Sequence, residues 1–315
     1  MRHRNIYRKM EYQMRDDILP NGIATAQFIE DSNRLDNEEL MNKYGVSART
    51  LRRWRQRLKE SDEEIILTFP ESPSPLCTDY LKLEYENFLV VGDVECPDHD
   101  VEILDMLVRM ADKLAIRNLI IAGDFMSMDV FSNWPKDNEQ SCSFSRDLEL
   151  AEKILRVFSN TFETIDYITG NHERRLAKQM KGQGNVGYFL TRRILDLQYS
   201  SYSYCEVLSG GKEILVAHPE SYSRTPLMVP LQLAAVHHKN ILCAHTHRLA
   251  SGYEPSGRYW VGETGHARSP ERTMYKSMKM ASNPAWNAGY CLVTSGNLHL
   301  IHRDSFSFWM NNVRL

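Results

Sequence analysis

Five short stretches of this chain carry side chains suited to holding a divalent cation. They are Gly92-Asp93-Val94-Glu95, Gly123-Asp124, Gly170-Asn171-His172-Glu173, the run LVAHPE that contains His218, and Ala244-His245-Thr246-His247. Carboxylates, an amide oxygen and imidazoles form a mixed donor set that leaves coordination positions open for water and substrate, unlike a closed four-ligand structural site. Any one of these stretches alone is ordinary, since Gly-Asp is a common turn and a histidine at a strand end is commonly a hydrogen-bonded structural residue. Arriving together, Asp, Asn, Glu and His suggest metal ligands.

The residues must be brought together by the elements that precede them. Apolar β-type runs at Phe88–Val91, Leu119–Ala122 and Tyr167–Thr169 alternate with amphipathic helical patterns near Val101–Leu114 and Phe144–Phe158, which indicates an α/β domain with parallel strands in its first part. Further strand-like runs cover Glu213–Ala217, Asn240–Cys243, Arg258–Val261, Tyr290–Thr294 and Leu298–Ile301. Loops at strand ends of open α/β sheets converge on one crevice, and the donor residues stand at such ends.

The succession GD, GD, GNHE, strand-end His and HxH, running through Asp93, Asp124, Asn171-His172, His218 and His245-Thr246-His247, resembles the signature of the calcineurin-like metallophosphoesterases. The resemblance spans roughly Glu86 to His302. It implies an α/β fold with two mixed β-sheets in a sandwich flanked by helices, and a centre of two divalent metal ions. Asp93 and His247 would bind the first ion, Asp124 would bridge both, and Asn171, His218 and His245 would hold the second. His172 would face the substrate.

The chain departs from that pattern in three places. Glu95 stands where the family has a histidine; as a carboxylate it can still ligate, and it makes the first position harder and more negative. Mn²⁺ is therefore favoured, with Mg²⁺, Fe²⁺, Zn²⁺ and Ni²⁺ as alternatives. A competing reading brings in His99, from the loop Cys96-Pro97-Asp98-His99, as the ligand, and a third leaves the first position weakened or empty. Ser127 replaces an aspartate that commonly supports the family's catalytic histidine, a role Asp129 could assume. Ala244 in place of glycine is a minor change.

Two metal ions about 3.5–4 Å apart acidify a bridging water and neutralise phosphoryl oxygens, so what the protein must add is mainly a proton donor. His172 is the candidate, with Asp129 behind it. Arg174 and Arg175 follow directly and could contact a phosphate bidentately, and His266 and His99 could line the same crevice.

The 315 residues, 42% hydrophobic and 25% charged, suit a large domain joined to a small one and exclude disorder or a fibre. No apolar run reaches the roughly 20 residues of a membrane span, and the six cysteines are scattered singly. Both features fit an intracellular, reducing location without a membrane partner. Residues 1–60 hold 13 Lys and Arg against 9 Asp and Glu, while the remainder holds 25 against 32. A basic module thus precedes an acidic body.

Within that module, residues 38–44 and 48–59 read as two helices around Gly45-Val46-Ser47, with Ser47 as N-cap of the second. The pattern predicts a helix-turn-helix, nucleic-acid-binding domain over 1–68. A proline-rich linker over 69–80 and a metallophosphoesterase domain over 81–315 would follow. Arg49, Arg52, Arg53 and Arg55, with Arg57 and Lys59 beyond them, would meet phosphates in a groove; the bland alternative is a hairpin used for assembly. The combination is similar to phage-encoded phosphoesterases with such a module in front, and implies a phosphodiesterase or nuclease acting on nucleic acid. A phosphomonoesterase or nucleotide phosphatase is the second reading, and a DNA-binding regulator with a decayed catalytic domain the third. Oligomeric state is not legible.

Overall fold

The computed structural model describes residues 25–60, 80–132, 143–192, 194, 196–272 and 286–313. The chain divides into two compact units, Met1–Thr78 and Asp79–Leu315. The basic N-terminal stretch and most of the proline-rich linker lie outside the described residues.

In the first unit three helices, α1 (Thr25–Arg34), α2 (Asn37–Tyr44) and α3 (Ala48–Glu60), surround a core of Phe28, Leu40, Leu51 and Trp54. The Phe28 and Trp54 rings meet edge to face at 5.4 Å, and Tyr44 packs against both. Helix α1 was not legible in the sequence. Asp36 starts α2 by accepting from the Glu38 and Glu39 amides, and Gly45 ends it in the left-handed region. Thr50 N–H donates to Ser47 Oγ at 3.3 Å, as an N-cap requires.

The second unit holds twelve described strands in two mixed, six-stranded sheets. One follows the order β12-β11-β2-β3-β4-β5 and the other β1-β6-β7-β8-β10-β9. The first sheet comprises β2 (Asn87–Val91), β3 (Asn118–Ile121), β4 (Thr164–Ile168) and β5 (Leu197–Ser200), all parallel, with β11 (Gly289–Thr294) and β12 (Asn297–His302) added antiparallel. Helices α4 (Val101–Leu114) and α5 (Phe144–Ser159) make the β2-α4-β3 and β3-α5-β4 crossovers, which is why these neighbours run parallel. The second sheet comprises β1 (Leu81–Glu84), β6 (Tyr204–Ser209), β7 (Lys212–Ala217), β8 (Asn240–Cys243), β9 (Leu249–Tyr253) and β10 (Trp260–Thr264). Helices α6 (Asn171–Gln179), α7 (Val186–Leu190), α8 (Met228–His237) and α9 (Phe306–Asn312) are the remaining α-helices among the described residues of the unit.

Strand β2 shows how the layers form. Phe88 and Val90 point between the sheets with Ile120, Val207, Val216 and Leu242, whereas Leu89 and Val91 point the other way, onto Ile103, Leu107 and Leu155. Because side chains alternate along a strand, an apolar run without alternation must be covered on both faces. This is the two-sheet sandwich with flanking helices that the resemblance implies. The strand expected at Arg258–Val261 begins only at Trp260. The Glu254 carboxylate accepts from the amides of Ser256, Arg258 and Tyr259 and draws that segment into a turn instead.

Among the described residues no helix is long and apolar enough to cross a membrane. Cys96, Cys205, Cys243 and Cys291 are buried free thiols.

Candidate metal centre

The donor residues gather at one end of the sandwich, and the two sheets contribute differently. Asp93 and Glu95 follow β2, Asp124 follows β3, and Asn171 and His172 open α6 after β4; His218 follows β7, and His245 and His247 follow β8. One sheet thus supplies the carboxylates and the amide, and the other supplies the three imidazoles that face them.

Asp124, His218 and His245 form the tightest group, with one donor atom from each lying within 4.8 Å of the others. His218 Nε2 is 3.3 Å from Asp124 Oδ2 and 3.0 Å from Asn171 Oδ1. Its Nδ1 lies 2.8 Å from the Ala122 carbonyl, an acceptor that fixes the N–H there and turns Nε2 inward as a lone pair. On the other side of Asp93, His247 Nε2 lies 3.3 Å from Asp93 Oδ1 and 3.2 Å from Glu95 Oε1. The buried Asp93 Oδ1 and His247 Nδ1 have no hydrogen-bond partner. Buried polar atoms are almost always satisfied, so an Asp93 oxygen with an imidazole 3.3 Å away but no hydrogen bond fits a cation.

The electrostatics agree. Burial alone would lower His218 and His247, yet Asp124 lifts the first to about 9, and Asp93 with Glu95 lifts the second to about 10. His245 is lowered by burial and by its neighbour His218. Against the cost of burial, His172 and His218 hold Asp124 well below the ordinary carboxylate range. The carboxylates therefore demand positive charge, which a divalent ion supplies without protons.

Local backbone is committed to this geometry. Asp93, Glu95, Asp124, His245 and His247 all adopt positive φ, between 48° and 81°, a region that costs non-glycine residues about 1–3 kcal/mol each. Two glycines are fixed by crowding. A Cβ on Gly123 would lie 2.6 Å from His218 Nδ1, and one on Gly170 would lie 2.1 Å from Asp124 Oδ1.

The remaining expected residues are distributed as follows. His172 donates its backbone N–H to Asp124 Oδ1 at 2.8 Å, and its Nε2 lies 3.6 Å from Asp124 Oδ2 while the buried Nδ1 has no partner. Asp129, expected to support His172, instead accepts from Arg175 at 3.0 Å. Arg175 also donates to the Ser127 carbonyl, so it clamps the loop after β3 rather than standing ready for a phosphate. Arg174 pairs with Glu220. His266 is buried with its ring 5.3 Å from that of His247. The His99 side chain lines a cavity of about 420 Å³ with Asp100, Arg272 and Arg303. Among the described residues no hydrogen bond or ion pair joins that side chain to Asp93, Glu95 or His247, whereas Glu95 Oε1 lies 3.2 Å from His247 Nε2. Arg49, Arg52 and Arg53 are exposed on α3, and Arg55 donates to Asn37 Oδ1 at 2.9 Å.

Two residues beside these donors, Arg268 and Trp286, carry no signal in the sequence, and a third, Glu173 of the GNHE stretch, has no role assigned there. Glu173, fully buried, accepts from the amides of Asp124, Met126 and Gly170 and from the Tyr167 hydroxyl. Its signal was present, as the glutamate three residues after the helix cap. Arg268, after β10, pairs with Glu95 and with Asp98; 173 residues separate it from Glu95, and nothing local announces it. Trp286 lays its ring 4.3 Å from that of His247.

No protein-family model and no curated protein matches the chain. Solved structures with a similar course of chain include a conserved uncharacterized protein of Streptococcus pneumoniae described as a predicted phosphoesterase. It has 12% identity and TM-score 0.33, over 69% of this chain and 98% of that one. Vps29 of Entamoeba histolytica complexed with Zn²⁺ has 12% identity and TM-score 0.36, over 67% and 88%. A protein of Thermus thermophilus has 12% identity and TM-score 0.40, over 69% and 98%.

Proposed function

We propose that this protein is a metal-dependent phosphoesterase that hydrolyses phosphodiesters, with nucleic acid as the substrate class. The observation that carries the reading is the convergence of Asp93, Glu95, Asp124, Asn171, His218, His245 and His247 on one strand-end site, five of them in left-handed backbone. Divalent ions held there would acidify water and neutralise phosphoryl oxygens. Asn171, Asp124, His218 and His245 are the residues for one ion, and Asp93, Glu95, His247 and the shared Asp124 for the other, with Mn²⁺ favoured by the oxygen-rich set.

The protein side of the chemistry falls to His172. Its backbone N–H is pinned to Asp124, so the side chain is held beside the cluster with Nε2 near the Asp124 carboxylate. From there it donates a proton to the leaving oxygen, a contribution worth about 10²–10⁴ in rate. Arg175 and Asp129 brace the loop and helix that carry Asp124 and His172. The exposed Arg49, Arg52 and Arg53 of α3 supply a phosphate-binding face suited to duplex DNA, which favours a nucleic-acid diester over a small monoester.

The test is hydrolysis of an aryl phosphodiester beside an aryl phosphomonoester, with added Mn²⁺ and after chelation. Diester turnover that needs the metal, is abolished in Asp124→Asn and falls about 10²–10⁴-fold in His172→Ala with metal still bound supports the reading. Turnover indifferent to chelation refutes metal dependence, and a preference for the monoester points to a phosphatase.

A further inference from the structure

Arg268 is an arginine buried to 7% exposure in the first metal position itself. Its Nη1 pairs with Glu95 Oε2 and its Nη2 lies 3.1 Å from Asp98 Oδ2, while the other Glu95 oxygen lies 3.2 Å from His247 Nε2. Glu95 and Asp98 are themselves buried, and charges taken out of water persist only when closely paired. The loop after β2 and the segment after β10 are joined here by backbone as well: the Ala267 N–H donates to the Asp93 carbonyl and the Asp100 N–H to the Ala267 carbonyl. The guanidinium is therefore placed by the fold and is not a passing surface contact.

Its position has two effects on any cation bound by Asp93, Glu95 and His247. One Glu95 oxygen is taken, so Glu95 can offer only the oxygen that faces His247. A fixed positive charge also stands against the incoming dication in a site where charges are poorly screened. Asp98 offsets part of that charge. The other position differs, because among the described residues no guanidinium pairs with Asp124; its neighbours are the imidazoles of His172 and His218, at 3.6 and 3.3 Å, and His218 is already aimed by the Ala122 carbonyl.

We propose that Arg268 sets the metal affinity of the first position. By engaging Glu95 it makes that position the weaker and exchangeable one, filled after the Asp124, Asn171, His218 and His245 position. This rests on the proposed metal-dependent function and adds a ranking of the two positions together with the residue that imposes it. The ordinary histidine at position 95 would draw no guanidinium, so Glu95 and Arg268 act as one unit.

Calorimetric titration of the full-length chain with Mn²⁺ alone, paired with bound-metal analysis and a melting curve, tests the proposal. The wild type shows two binding events separated by tenfold or more. Arg268→Gln keeps a hydrogen-bond donor for Glu95 but removes the charge, and tightens the weaker event about tenfold; Arg268→Lys leaves it near wild type. Asp98→Asn leaves the arginine less offset and loosens the weaker event, while the tighter event holds. If Arg268→Gln and Asp98→Asn both loosen the weaker event and lower the melting temperature, the bridge is only a loop clamp and the proposal falls. Two events of equal strength in the wild type overturn it as well. Absence of any binding in the wild type overturns the metal-dependent reading beneath it.

Discussion

Replacing Glu173 probes how the centre is held. Its Oε2 accepts from the Asp124 N–H at 3.0 Å and the Gly170 N–H at 2.9 Å, and its Oε1 from the Met126 N–H at 3.2 Å and the Tyr167 hydroxyl at 2.6 Å. Glu173→Ala orphans three buried amides, since the hydroxyl alone can rotate away. At about 1–3 kcal/mol for each unsatisfied donor, the low to middle of that range predicts a loss of about 3–6 kcal/mol. That is a large share of the roughly 5–15 kcal/mol that holds a domain together. Glu173→Gln fares better. Its carbonyl serves the Asp124 and Gly170 amides, the Tyr167 hydroxyl turns to accept from the new amide group, and only the Met126 N–H is stranded, for a loss of about 1–3 kcal/mol. Urea denaturation with an unchanged m-value measures both losses. Because Asp124 is anchored through its own amide, metal affinity should fall about 10–100-fold in Glu173→Ala, as is usual when a partner of a ligand is removed, and stay near wild type in Glu173→Gln. A Gln variant as unstable as Ala, or an Ala variant with full metal affinity, would refute the anchoring argument.

Asp166 is buried between the sheets, and burial, opposed by the Tyr85 hydroxyl at 2.7 Å, raises its carboxyl from an ordinary 3.8 to about 6. The folded state thus holds this proton more tightly than the unfolded one, so the stability this group contributes is fully present below pH 3.8 and is lost as pH rises through 6. Asp166→Asn should remove that decline and stabilise the protein at pH 7 by at most about 3 kcal/mol, read from melting temperatures at pH 4 and 7; unchanged pH dependence would contradict the assignment. On α3, Arg52→Ala with Arg53→Ala should weaken duplex DNA binding and reduce its salt slope by about two, leaving small-diester turnover intact. Equal binding isotherms for variant and wild type at two salt concentrations would return α3 to the assembly reading.

What was legible followed from periodicity and from local punctuation. Helix α4 spans the bounds its regular apolar face predicts, and Asp100 caps it by accepting from the Glu102 and Ile103 amides. The donor residues were legible because each follows a short apolar strand within a few residues. Strands β1 and β9 were not, since their residues are half-buried or exposed at sheet edges and carry no apolar run. The true partner of Asp129 was hidden because Arg175 lies 46 residues away. The pairing of Glu95 with Arg268 depends on β10 lying beside β8 in the second sheet while β2 lies in the first. Sequence spacing cannot encode that meeting.

The division of donors between the sheets has a mechanical side. Acids hang from the ends of β2 and β3 and imidazoles from β7 and β8, so an ion caught between them acts as a rivet through the open end of the sandwich. Mass action makes such a fastening strong: free metal at a thousandfold excess over its dissociation constant adds about 4 kcal/mol of stability. Stripping the metal would then loosen the seam at that mouth first. Amides near Ala122 and Ala244 would gain hydrogen exchange together, while the far ends of the same strands stayed shut.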